Sequence, residues 1–238
     1  MSTNTHYDLS GTKVWPTMFF TRRWNLYAQE GPGLLAYLRQ LQADQSETID
    51  SGVAVGAKPA RGLYESNFDL FQYQNASLQS LVKFIEGTLA LAVCVANDQE
   101  ARPQDLEIEF VDSWYHISND GGFHDAHVHH GCSWCGIFYL EVGASGHRTG
   151  KSAPNGGSRF YCPFNLGGNY RDFGNKYLNA SVDPPIENGL LLLFPSYLMH
   201  SGLPYQGEQD RVVIAFNAKS HVKTGTVSAS LIEKNQKK

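Results

Sequence analysis

The chain has 238 residues, 42% hydrophobic and 12% aromatic, which is enough apolar material for a real core. A formal net charge of −4 and a pI near 6.1 argue against a surface built for nucleic acid or anionic membrane. Such a surface needs clustered Lys and Arg, and the basic runs here, Arg22-Arg23 and Lys237-Lys238, are too short. The opening MSTNTHYDLSGTKVWP has no charged segment followed by an apolar one, and no apolar run approaches the length of a membrane span. Four cysteines fit free thiols in a reducing cytosol. The expectation is one cytoplasmic domain over residues 1–238, acting on a small molecule, with no nucleic-acid or membrane partner; a homodimer is compatible with this.

In chain order, the part from about 14 to 100 reads as helix and loop. GPGLLAYLRQLQADQ places Leu34, Tyr37, Leu38 and Leu41 on one helical face, with Pro32 suited to a first turn. SETIDSGVAVGAKPARG reads as a surface loop without P-loop spacing. A second helix in NASLQSLVKFIEGTLALAVCVAND turns Leu78, Leu81, Val82, Ile85 and Leu89 to one side, with Asn75 or Ser77 as its cap. From about 104 to 220 the texture becomes short strands: LEIEFVDSWYHI, CGIFYLEV, RFYCPF, GLLLLFP and RVVIAFN, separated by turn residues. Periodicity is lost after Asn217, and 221–238 reads as a frayed tail. Helices followed by regularly spaced strands predict an α+β protein, mainly β. A sandwich or barrel is expected, with the helices packed on one sheet.

The chemistry concentrates in FHDAHVHHGCSWCGIFYLEVG, residues 123–143, where metal-capable side chains stand at the entrance of an apolar strand. In an extended segment residues two apart share a face, so His127 projects with His129 and Asp125, while His124 and His130 point the other way. Two imidazoles at i and i+2 can chelate one ion, with a third ligand from elsewhere. His200 in NGLLLLFPSYLMHSGLP is the candidate, because it follows an apolar strand and stands where loops display ligands. Cys132 and Cys135 form a C-x-x-C without a second one. A strand beginning at Cys132 would turn the thiols to opposite sides, which favours packing over metal or redox chemistry.

Arg211 opens RVVIAFN, sharing a face with Val213, Ala215 and Asn217; a cation on an apolar strand needs solvent, a carboxylate such as Asp210, or an anionic ligand. Trp114, Trp134, Phe138, Tyr161 and Tyr170 are candidate pocket aromatics that core packing explains equally well. The glycine-rich stretch 143–185, with His147, Arg148 and Lys151, is expected to be a substrate lid.

In combination, Trp114, GGFHDAHVHHGCSWCGIFYL, NGLLLLFPSYLMH and RVVIAFN, preceded by GLYESNFDLF, resemble the 2OG-Fe(II) oxygenase family of the Fe(II)/2-oxoglutarate-dependent dioxygenase superfamily, over residues 14–217. The resemblance implies a double-stranded β-helix, the cupin-like jelly roll, holding Fe(II) at its open end. His127 and His129 match the family's H-x-H and His200 its distal histidine. Arg211 matches the basic residue for the distal carboxylate of 2-oxoglutarate, with Tyr139 and Asn217 as further residues of that pocket. Cosubstrates would be 2-oxoglutarate and O2. The implied reaction is hydroxylation of a small-molecule or amino-acid-like substrate, with release of succinate and CO2.

The departure is His129, which stands where most of the superfamily has a carboxylate; three neutral ligands leave the iron more positive. Asp125, in the order D-x-H, is the alternative ligand. Two rivals remain from the residues: a cupin-like three-histidine iron dioxygenase that does not use 2-oxoglutarate, and a non-catalytic jelly-roll binding protein.

Overall fold

The computed structural model describes residues 17–46, 62–98, 101–146, 153–163 and 179–223. Strand β1 (Phe20–Arg23) leads into helix α1 (Tyr27–Ser46), and β2 (Leu63–Glu65) precedes helix α2 (Ala76–Ala96). There follow β3 (Leu106–Ser118), β4 (Gly122–His127), β5 (Trp134–Glu141), β6 (Ser158–Tyr161), β7 (Ser181–Val182), β8 (Leu190–Pro195), β9 (His200–Tyr205) and β10 (Arg211–Val222). They form a six-stranded sheet in the order β1-β8-β5-β10-β3-β2 and a four-stranded sheet in the order β4-β9-β6-β7, with the pairings between these strands antiparallel. This is the jelly roll expected from the sequence.

The large sheet is buried on both faces, and strand alternation divides its side chains between two cores. Val212, Ile214, Phe216 and Ala218 of β10 join Phe138 and Leu140 of β5 and Leu191 and Leu193 of β8 against the helices. Val213, Cys135, Tyr139, Leu190, Leu192 and Phe194 point instead between the sheets. Burial of this kind contributes roughly 25 cal/mol per Å² of apolar surface, so both faces drive the sheet together. α2 packs on β3 and β8, and α1 on α2 and β5.

The helices depart from expectation in two ways. α1 starts at Tyr27, so Pro32 lies inside it rather than in its first turn. The carbonyl that Pro32 cannot serve belongs to Ala28, which is exposed and can be hydrated, so the helix tolerates the loss. α2 begins as predicted, with Asn75 Oδ1 accepting from the Leu78 N–H at 3.1 Å. It is also long and apolar enough to cross a membrane by length and composition, contrary to the expectation that no run reaches that length. Its residues Leu78, Leu81, Ile85 and Leu89 are fully buried in the helix-side core.

At the other end, β10 continues past Asn217 to Val222, paired with Leu106 of β3 after a bulge at Asn217/Ala218. The tail therefore starts later than expected, and residues 224–238 lie outside the described residues, as do the 47–61 loop, His147, Arg148, Lys151 and Tyr170. The 143–185 stretch supplies β6 and β7 of the small sheet, so it is not wholly loop.

Gly136 on β5 tests the tightness of the helix-side core. A Cβ there would stand 2.1 Å from Cζ of Phe216. That ring is fully buried between Phe71 and Phe110 and has nowhere to go. Gly136→Ala is expected to destabilise the fold by about 1–3 kcal/mol, read as a lower urea midpoint; an unchanged midpoint would mean the core is loose.

Candidate metal centre

Antiparallel pairing of β4 with β9 sets the last residue of one opposite the first of the other, His127 opposite His200. His129 follows in the turn beyond β4, held by its backbone N–H donating to the Ser196 carbonyl at 3.2 Å. One ligand nitrogen from each of the three imidazoles comes within 4.8 Å of the others. The ring of His127 lies 4.4 Å from that of His200 and 5.0 Å from that of His129.

Two of the rings have their tautomer set by the backbone. Nδ1 of His127 lies 2.7 Å from the Asp125 carbonyl oxygen, and Nδ1 of His200 lies 2.9 Å from that of Leu198. A carbonyl only accepts, so each Nδ1 carries the proton and each Nε2 keeps its lone pair for an ion. Burial pulls the His200 pKa down to about 3 and that of His129 to about 4, with the neighbouring imidazoles acting in the same direction. At neutral pH these rings are unprotonated donors, which suits a transition metal.

Asp125 stands apart from this group. Its side chain is exposed, and Oδ1 accepts from the adjacent Ala126 N–H at 2.7 Å, so the geometry gathers three histidines rather than a D-x-H set. His124 corrects the sequence reading. Register shifts on both sides of it turn its ring into the cavity, 5.8 Å from that of His127, instead of to the far side; His130 is exposed.

Arg211 lines the same cavity from the first position of β10. It is only 6% exposed, and its Nε is buried with no hydrogen-bond partner among the described residues. The guanidinium sits 5.7 Å from the ring centroid of Tyr139, whose hydroxyl donates to Ser158 Oγ at 3.1 Å. Burial lowers the Arg211 pKa, opposed by Tyr139 and Tyr205. A buried cation without a carboxylate among the described residues calls for an anionic ligand.

Asn217 is six residues further along β10, roughly 20 Å away. Its amide donates to Asp112 Oδ2 at 3.1 Å and accepts from the Cys135 thiol at 3.2 Å, so it does not share a pocket with Arg211. Since β5 begins only at Trp134, the Cys132 and Cys135 sulfurs lie 3.9 Å apart rather than on opposite sides. Of the candidate aromatics, Trp114 faces the cavity, Trp134 and Phe138 belong to the helix-side core, and the Tyr161 hydroxyl meets Ser201 Oγ at 3.1 Å.

Sequence reading passed over His116 and Glu65, which gather beside His124 in a second cluster. The signal for His116 was present: on β3 it alternates in step with Trp114 and Ser118, a polar side chain on an inward face. Glu65, on a strand of three residues, had no such pattern around it.

Residues 112–217 match the sequence profile of the family described as "Putative 2OG-Fe(II) oxygenase". No curated protein matches the chain by sequence. Among solved structures, the chain is similar to a prolyl-4-hydroxylase from Pseudomonas putida, at 16% identity and TM-score 0.54, over 84% of this chain and 92% of that one. It is similar to SnoN, a non-heme alpha-ketoglutarate-dependent epimerase from nogalamycin biosynthesis, at 13% identity and TM-score 0.53, over 89% and 80%. A prolyl hydroxylase from Trichoplax adhaerens, solved with a peptide fragment of hypoxia inducible factor, matches at 16% identity and TM-score 0.52, over 84% and 83%. At these identities the likeness shows the fold.

The depressed histidines make a pH prediction for metal-free protein. Unfolded histidines take up protons near 6.5, whereas His200 and His129 resist protonation down to about 3 and about 4. The folded state then binds fewer protons, so stability is complete above pH 6.5 and falls as pH drops through that window. The urea midpoint should decline below pH 6.5, with a shallower decline in His200→Gln; equal slopes in the two proteins would contradict the assignment.

Proposed function

We propose that this chain, which through residues 112–217 belongs to the 2OG-Fe(II) oxygenase family, hydroxylates a small-molecule or amino-acid-like substrate as a dioxygenase. One observation carries the reading: a buried Arg211, whose Nε has no hydrogen-bond partner among the described residues, shares a cavity with three imidazoles gathered as metal donors. The residues fit both groups that the family uses. His127, His129 and His200 would hold Fe(II), and Arg211 would hold the distal carboxylate of 2-oxoglutarate, with Tyr139 stacked beneath the guanidinium.

Bound together, iron and 2-oxoglutarate supply the oxidising power that inserts oxygen from O2 into a substrate C–H bond, with release of succinate and CO2. The chain's own share is placement and exclusion. The backbone carbonyls of Asp125 and Leu198 aim the Nε2 atoms of His127 and His200. Phe160 and Phe194 pack against His200, at ring centroid separations of 5.4 and 4.8 Å, and keep water from that side of the centre. Trp114 lies 5.8 Å from His129 and continues the wall.

A cupin-like three-histidine dioxygenase is the second reading, favoured by the all-imidazole donor set. It leaves Arg211 no 2-oxoglutarate to bind, so the response to 2-oxoglutarate separates the two.

Anaerobic titration of metal-free protein with Fe(II) and then 2-oxoglutarate, followed by the visible charge-transfer band of the chelate, tests the proposal. Arg211→Ala should keep its iron and weaken 2-oxoglutarate binding by about 2–5 kcal/mol, roughly 30-fold or more in Kd. The band should be lost in His129→Ala and kept in Asp125→Ala. Iron bound with no response to 2-oxoglutarate would hand the protein to the second reading.

A further inference from the structure

We propose that Glu65, His116 and His124 form a second metal site, for a divalent transition-metal ion of the zinc class, in the wall of the same cavity. It shares no residue with the His127, His129 and His200 set.

The fold builds this cluster from three strands. Pairing of β2 with β3 sets Glu65 directly opposite His116, on the face that turns inward. The irregular β4 brings the His124 ring to 4.4 Å from that of His116. Glu65 Oε2 then lies 2.6 Å from His116 Nε2 and 3.5 Å from His124 Nε2, and all three donor atoms fall within 4.8 Å of one another. Close approach of the backbones makes this possible. Gly62 has φ +84°, where a Cβ would meet the Asn119 carbonyl oxygen at 2.2 Å, and a Cβ on Gly122 would meet the Gly62 carbonyl oxygen at 2.2 Å. Larger residues at either position would force β2 and β4 apart and open the cluster.

Hydrogen bonding within the cluster does not close. The Trp114 indole N–H can only donate, and it lies 2.8 Å from His116 Nε2, which marks that nitrogen as a lone-pair acceptor. An ionised Glu65 oxygen 2.6 Å from the same lone pair is repulsive unless a cation lies between them. A proton would serve Glu65 and His116 and leave the third member unserved: His124 Nε2 is buried with no hydrogen-bond partner among the described residues. A divalent ion at the centre serves all three, and takes the place of the indole N–H at His116.

The donor chemistry agrees. Two imidazoles and one carboxylate are a transition-metal set, and zinc binds such nitrogen and oxygen donors at about 2.0–2.2 Å. Tetrahedral ligands at that radius stand about 3.4 Å apart. The His124–Glu65 spacing of 3.5 Å already matches, and the 2.6 Å pair must open by less than an ångström. His116 and His124 line the cavity that also contains His127 and Arg211, so the ion would present an open coordination position to whatever occupies that space.

The test counts ions. Metal-free full-length protein is dialysed against zinc buffered by a weak chelator, and bound zinc is measured by mass spectrometry for wild type, Glu65→Gln, His116→Ala/His124→Ala and His127→Ala/His200→Ala. Near-UV circular dichroism checks each fold, and Glu65→Gln, being isosteric, keeps the test informative if an alanine pair fails to fold. Wild type should bind two ions per chain, and each site's variants one. A single wild-type ion lost only with His127 and His200 would overturn the second site and leave the iron reading intact. A single ion lost only with Glu65 or the His116/His124 pair would do the reverse. Two ions retained in Glu65→Gln would also overturn the proposal.

Discussion

Antiparallel pairing of β4 with β9 is the constraint on which the site depends. It joins the strand that ends at His127 to the one that begins at His200, and so brings residues far apart in the chain to one register position. The turn after β4 then delivers His129 through a backbone bond to Ser196. That turn is anchored on the large sheet, because the Ser133 N–H donates to the Ala218 carbonyl at 3.1 Å. The helices take part only through the sheet, by burying its outer face and leaving the inner face for donors.

Charge is organised as economically as packing. Burial keeps His129 and His200 neutral, and the cavity's cation is Arg211, buried without a carboxylate among the described residues. Leaving a guanidinium in that state is costly unless an anion arrives, and in the proposed reading that anion is the distal carboxylate of 2-oxoglutarate. In the proposed trihistidine set, His129 stands where most of the wider superfamily has a carboxylate, which removes one negative charge from the metal's surroundings. A metal held by three neutral donors attracts an anionic chelating cosubstrate more strongly than one whose charge is partly cancelled.

Much of this was legible in the sequence where period and chemistry coincide. RVVIAFN alternates cleanly, so Arg211 could be placed on the inner face, and Asn75 before an apolar 3.6 repeat marked the start of α2. His127, His129 and His200 were readable because same-face spacing and a strand boundary are both sequence properties. Features that depend on irregular backbone were hidden. The bulges in β4 brought His124 inward against strict alternation, and the late start of β5 brought Cys132 beside Cys135. Glu65 was out of reach because β2 is too short to carry a period, and its partners are set by β3 rather than by its neighbours in the chain. Pro32 misled because proline is tolerated inside a helix wherever the carbonyl it abandons faces water.

The central claim is that a trihistidine set, rather than one containing Asp125, holds the catalytic iron. X-ray absorption at the iron edge tests it most directly, on iron-loaded Glu65→Gln protein so that the neighbouring cluster does not contribute its carboxylate. The account predicts the multiple-scattering signature of three imidazoles, falling to two in His129→Ala and unchanged in Asp125→Ala. A shell of two imidazoles and a carboxylate, losing the carboxylate in Asp125→Ala, would contradict it.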